Sequence, residues 1–240
     1  MKVVKCKNYD EMSAIAANVV AAQITLKSNC VLGLPTGGTP VGMYKVLSEK
    51  NQAGEISFAD VTTFNLDEYF PIKRDNDQSY YYFMNKNLYS HVNLKAENIN
   101  IPNGEAVDAK AEGERYDAKI ESMGGIDLQV LGIGPNGHIG FNEPDDSLVA
   151  ATHKTGLTEE TIIANSRFFE KEEDVPKTAI TLGLSNIMKA KRIIMLVSGK
   201  NKHKALNEIF AGKIDCKNPS TMLLMHPDVT IIADEDALNG

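Results

Sequence analysis

Two periods of hydrophobic patterning alternate along this chain. Short strand-like runs recur at Met1–Cys6, Val31–Leu34, Val61–Leu66, Asn98–Ile101, Ile126–Ile133, Thr178–Leu182, Arg192–Val197 and Val229–Ala233. Helical patterns lie between them. Asp10 can cap a helix whose apolar positions are Met12, Ile15, Val19, Ala22 and Leu26. Thr39 caps a second helix, with Pro40 in its first turn and Gly54 at its end. Ser79 caps an aromatic-rich helix that runs to about His91, and Ala109–Met123 is stopped by Gly124-Gly125. A short helix near Ser185 and a longer one from about Lys202 to Ala211 complete the set. Strands alternating with helices predict an α/β fold, a mostly parallel sheet covered by helices on both faces.

The pattern fails between about 145 and 177. That stretch carries Glu159-Glu160, Glu170 and Lys171-Glu172-Glu173-Asp174, with weak apolar periodicity. It fits a mobile lid over a site and equally a solvated surface helix. No internal repeat or low-complexity linker divides the chain. Its 240 residues suit one large domain or two small ones.

Composition narrows the function. Apolar content of 42% and charged content of 24% are those of an ordinary soluble protein. A net charge of −7 argues against general nucleic-acid or anionic-membrane binding. An anionic small substrate stays open, since it needs only a local basic pocket. Cys6, Cys30 and Cys216 have no CxxC spacing and suggest reduced thiols rather than disulfides or a zinc site. Neither a signal peptide nor an apolar run of membrane-spanning length is visible, so a cytoplasmic location is expected.

The chemistry concentrates after the strand at 126–133. Gly134-Pro135-Asn136-Gly137-His138-Ile139-Gly140-Phe141-Asn142-Glu143-Pro144 places an amide, an imidazole and a carboxylate within eight residues. Polar, glycine-rich loops at strand ends are where open α/β sheets keep their sites. Asn136, His138 and Glu143 suit an acid–base relay; a solvated loop histidine is the plain alternative. Gly132-x-Gly134-x-x-Gly137 spells the dinucleotide fingerprint, but that motif must open a helix, and Pro144 with the glycines argues against one.

A second loop, Leu34-Pro35-Thr36-Gly37-Gly38-Thr39-Pro40, joins a strand to a helix. Glycines allow close backbone approach, and a helix N-terminus offers free N–H groups to phosphate. No Gly-Lys-Ser/Thr follows, so it is not a Walker loop. A tight turn with a capped helix would explain part of it. Asp67 and Glu68 end another strand, where one of them could abstract a proton beside a carbonyl if it faced His138. Arg167 and Lys202 are candidate phosphate contacts, though each alone reads as a surface charge.

Taken together, LGLPTGGTP (32–40), TFNLDEY (63–69), SYYYFM (79–84), NGHIGFNEP (136–144), ANSRFF (164–169) and the 199–202 loop resemble the glucosamine-6-phosphate deaminases over almost the whole chain. The resemblance implies one Rossmann-like domain of the sugar-phosphate isomerase/lactonase type, spanning 1–240. It implies conversion of glucosamine 6-phosphate and water to fructose 6-phosphate and ammonia, in amino-sugar catabolism, without metal or organic cofactor. It assigns Asp67 as the base moving a proton from C2 to C1, and His138 as the ring-opening acid–base group. Asn136 and Glu143 would orient and tune His138. Thr36, Gly37, Gly38, Thr39, Arg167 and Lys202 would hold the phosphate. Many longer, hexameric members have Asp where this chain has Asn136. Their allosteric activation uses basic residues after the NEP motif and a C-terminal extension. Here 148–155 holds one lysine and no arginine, and the chain stops at Gly240. A non-allosteric enzyme, plausibly monomeric, is expected. A deaminase for another hexosamine phosphate, a 6-phosphogluconolactonase and a non-catalytic sugar-phosphate sensor are the alternatives. The lactonases usually carry Arg where this chain has Tyr69, and a sensor predicts lost acids or an attached DNA-binding module.

Overall fold

A computed structural model describes residues 1–159, 162–163 and 175–240. Ten strands and seven helices are named within them: β1 Lys2–Cys6, α1 Tyr9–Leu26, β2 Val31–Leu34, α2 Val41–Gln52, β3 Thr62–Asn65, β4 Asp67–Tyr69, α3 Tyr80–Asn87, β5 Ile99–Asn100, α4 Ala109–Ser122, β6 Leu128–Leu131, β7 His153–Gly156, β8 Thr178–Thr181, α5 Leu184–Lys189, β9 Ile193–Val197, α6 His203–Phe210, β10 Val229–Asp234 and α7 Glu235–Asn239. Seven strands form a parallel sheet in the order β1-β10-β9-β6-β2-β3-β5. The chain winds outward from β2 through β3 to β5, then returns to β6 and winds the other way. The strand order therefore reverses between β2 and β6, the place where open α/β sheets leave a crevice.

Alternate residues of each strand serve opposite cores. Leu32, Leu34, Leu128, Val130, Ile194, Leu196 and Ile232 pack on α1, α2 and α3. Val31, Leu131, Ile193, Met195, Val197 and Ile231 pack on α4 to α7. The α/β reading with both faces covered is thus the fold found.

Local details differ from the expectation. Asn8, not Asp10, caps α1: its side chain accepts the Glu11 N–H at 3.0 Å, while Glu11 reaches back to the Lys7 N–H at 2.6 Å. The buried stripe of α1 is Met12, Ala16, Ala17, Val20, Ala21 and Ile24, leaving Leu26 83% exposed. A helix so rich in alanine carries little contrast between faces, so the apolar spacing alone picks the wrong one. Thr39 does not cap α2. Pro40 holds that position without a side-chain bond. The Gly38 carbonyl accepts from Val41 N–H, and the Tyr9 hydroxyl accepts from Gly42 N–H at 2.8 Å, so the first two donors of the helix are already partnered. The aromatic helix ends at Asn87, followed by a separate 3-10 turn at Tyr89–His91.

The strand at 178–181 does not join the main sheet. It is the centre of a second, antiparallel sheet, β4-β8-β7. The segment 145–177 is thus partly sheet, through His153–Gly156. Arg167 and the acidic run 170–174 lie outside the described residues. Among the described residues no helix is long and apolar enough to cross a membrane.

Candidate active site

A cavity of about 210 Å3 opens at the C-terminal ends of β2 and β6, where the strand order reverses. Thr36, Gly37, Gly38, Thr39, Asp67, Asn136, His138 and Lys202 all line it. Four segments far apart in sequence meet here. Glu143 stands behind Asn136 and His138, and Arg167 is not among the described residues.

The loop after β2 forms one wall. Tyr44 donates its hydroxyl hydrogen to the Pro35 carbonyl at 2.5 Å, and Tyr9 donates to the Gly38 carbonyl at 3.1 Å, so two helices hold the loop from behind. Gly37 has φ +92, a conformation that favours glycine. The N–H groups of Thr36, Gly37, Gly38 and Thr39 make no hydrogen bond among the described residues. Four uncommitted donors at a helix start form a cradle for an anion. Lys202 reaches the same cavity from the turn after β9, which Gly199 opens at φ +93.

The loop after β6 forms the opposite wall. Gly134 to Gly137 is a tight turn and no helix follows, which disposes of the dinucleotide fingerprint. Asn136 works in two directions. Its Oδ1 accepts the His138 backbone N–H at 3.2 Å, and its Nδ2 donates to Glu143 Oε2 at 2.9 Å. His138 Nδ1 lies 3.3 Å from the same Glu143 oxygen, within ion-pair range but off the line of a hydrogen bond. The imidazole lies close against Gly134, where a Cβ would overlap three ring atoms. Gly137 (φ +87) is similarly closed, with Asn218 occupying the space a side chain would need.

The small sheet supplies the third wall. Register sets Asp67 opposite Thr181, and Thr181 Oγ1 accepts the Phe141 N–H at 3.0 Å. The strand that carries Asp67 is thereby tied to the loop that carries His138. Asp67 is 6% exposed. Burial, and then the neighbouring Glu68 carboxylate, push its pKa up to about 8. Burial also pushes Glu68 up to about 7, against three backbone N–H groups that pull it down.

Tyr80 lines the cavity too, its ring forming a triangle with those of Tyr69 and Phe141, centroids 4.7 and 6.0 Å away. The sequence marks the helix that starts with Tyr80 but gives no sign that its first residue faces the site. Thr181 and Asn218 were equally hidden, since their part depends on strand register and loop closure. Among the described residues no three His, Cys, Asp or Glu side chains are grouped to hold a metal ion.

This arrangement can grip a phosphate at one end, hold a carboxylate base in the middle and present an acid–base imidazole at the other wall. Comparison with known proteins identifies the family. The model of the glucosamine-6-phosphate isomerases/6-phosphogluconolactonase family matches residues 7–232. A glucosamine-6-phosphate deaminase of Thermoanaerobacter pseudethanolicus is 56% identical over 99% of this chain and 94% of its own length. That of Clostridium beijerinckii is 52% identical over 100% of this chain and 99% of its own length. A solved monomeric glucosamine-6-phosphate deaminase superposes with a TM-score of 0.96 at 44% identity, covering 99% of this chain and 98% of that one. A 6-phosphogluconolactonase of Thermotoga maritima shares the fold at a TM-score of 0.75 and 20% identity, over 97% of this chain and 98% of that one. The chain belongs to the glucosamine-6-phosphate isomerase/6-phosphogluconolactonase family.

Proposed function

We propose that this chain is a glucosamine-6-phosphate deaminase, acting as a single domain. It converts glucosamine 6-phosphate and water to fructose 6-phosphate and ammonia. The observation that carries the reading is Asp67: a buried carboxylate raised in basicity, facing the same cavity as His138 and a four-donor anion cradle. The level of identity to deaminases over nearly full length supports it.

In this reading Thr36, Gly37, Gly38, Thr39 and Lys202 grip the phosphate, with Arg167 as a further cation. Holding the far end of the sugar lends binding energy to placing C1 and C2 over Asp67. His138 moves a proton between O5 and the C1 hydroxyl, opening the ring, a task suited to imidazole near neutral pH. Glu143 faces the ring edge and steadies the charge that forms there, while Asn136 fixes the turn that presents it. Asp67 then takes the C2 proton and returns it to C1, leaving an imine at C2. Water adds to that carbon and ammonia departs. The substrate is a free sugar phosphate, the enzyme works as a monomer, and the cytoplasm is its compartment.

The test is release of ammonia and fructose 6-phosphate by the purified protein in EDTA, with galactosamine 6-phosphate and 6-phosphogluconolactone in parallel. Equal amounts of both products from the glucosamine sugar are expected. Turnover of only another substrate would move the specificity, and silence on all three would favour a sensor. The rate curve should be hyperbolic and keep its shape when N-acetylglucosamine 6-phosphate is added. A sigmoidal curve that this ligand straightens would refute the non-allosteric assignment.

A further inference from the structure

Asp67 and Glu68 are consecutive residues of β4, so their side chains leave the strand on opposite faces. Asp67 lines the catalytic cavity. Glu68 lines a second cavity of about 550 Å3 behind it. Although only 2% exposed, Glu68 has no ion pair among the described residues. Its carboxylate accepts three backbone N–H groups instead. Oε1 takes those of Tyr69 and Tyr80, both at 2.9 Å, and Oε2 takes that of Tyr81 at 3.0 Å.

Tyr80 and Tyr81 are the first two residues of α3, whose N–H groups have no partner within the helix. The Ser79 hydroxyl takes the next, from Tyr82, at 3.0 Å. The start of α3 is therefore completed by one hydroxyl and by a carboxylate that is the chain neighbour of Asp67. Tyr80 in turn faces the catalytic cavity. One side chain behind the wall fixes two residues that look into the site.

We propose that Glu68 is a positioning residue that acts on Asp67 from behind, clamping β4 to the start of α3 and holding negative charge beside the base. The kinetic half of this inference rests on the deaminase reading; the titration half does not. The clamp matters because a base misplaced by about 1 Å loses much of its rate. The charge matters because two neighbouring carboxylates resist joint ionisation, which strengthens Asp67 as a base. The upward shift of Asp67, caused first by burial and then by Glu68, agrees with this. Asp67 is also faced by Tyr80 of α3, Tyr116 of α4, and His138 and Lys202 across the cavity. Glu68 shares its own cavity with Arg74, Arg115, Glu105 and Glu112.

The experiment follows the Asp67 carboxyl carbon by NMR across pH 4 to 10, assigned with Asp67→Asn, alongside kcat and KM. In the wild-type chain the curve should have two steps, the mark of coupled carboxylates. In Glu68→Gln, which keeps the size and removes the charge, the midpoint should fall by about one pH unit. There kcat should drop about tenfold while KM stays within about twofold. Glu68→Asp keeps the charge but cannot reach α3; its midpoint should stay near wild type while kcat falls. A single-step wild-type curve, or an unmoved midpoint in Glu68→Gln, overturns the charge role. Wild-type kcat in Glu68→Asp overturns the clamp, and does so even if Glu68→Gln fails to fold. A wild-type chain inactive on glucosamine 6-phosphate overturns the deaminase reading alone, because the titration still decides the charge.

Discussion

Asp127 and Asp67 are nearly equally buried, 4% and 6% exposed, yet their surroundings are opposite. Asp127 stands just before β6, at the end of the sheet away from the cavity. Lys27 and Lys191 each place an ammonium 2.7 Å from one of its oxygens, and the Val31 N–H donates at 2.8 Å. Burial alone would raise it, but these three donors outweigh burial and hold it below the usual carboxylate range. Asp67 has another carboxylate as its neighbour instead, and it is pushed up to about 8. The contrast teaches that burial does not decide what an acid is for. Satisfied donors make Asp127 a joint between strands; a withheld counter-charge leaves Asp67 with basicity to use.

Replacement of each acid should separate the two roles. Asp67→Asn should lower kcat by about 10² to 10⁴, the range for loss of a general base, with the fold retained. Ammonia release and circular dichroism check this; retention of most activity would sink the role of Asp67. The next effect tests the opposite wall. Gly134→Ala puts a Cβ where the His138 imidazole lies, so the ring must turn away from Glu143. We expect a loss of about 10- to 100-fold in kcat at little change in KM. Asp127→Ala should leave activity per folded molecule intact. It strands the buried Val31 N–H and costs about 1 to 3 kcal/mol, read from urea denaturation.

The pair also differs in the sign of its pH dependence. Asp67 has a folded pKa of about 8 against an ordinary 3.8. Between those values the folded state keeps a proton that the unfolded chain releases, so this group erodes stability as pH rises from about 4 to about 8. Asp127 is lowered, so its contribution is present above the ordinary carboxylate pKa and is lost only as pH falls below it. Asp67→Asn should therefore match wild type near pH 4 and gain on it toward pH 8, whereas Asp127→Ala should lose its deficit in acid. Parallel melting curves at both pH values decide this.

The sequence shows these features unevenly. Runs such as Ile193–Val197 and Val229–Asp234 are buried on both sides, and continuous apolar character makes them plain. The loops of 34–40 and 134–144 are equally plain, because glycines and polar groups cluster there directly after apolar strands. The small sheet was hidden. β4 has three residues, two of them acids, and β7 alternates between half-buried and exposed positions, so backbone pairing rather than apolar pattern defines them. Glu68 looked like half of an acidic pair, since its three N–H partners include two from a helix twelve residues on.

The outermost pairing of the main sheet bears on how the molecule is assembled. Among the described residues β1 has a single neighbour, β10, in register from Lys2↔Thr230 to Cys6↔Asp234. Contacts so distant along the chain close slowly, because the loop entropy is spent before the contact forms. During synthesis β1 must wait, that edge unsatisfied, until β10 leaves the ribosome. A chain released before Val229 therefore carries β1 without this partner, open to pairing with the same strand of another copy.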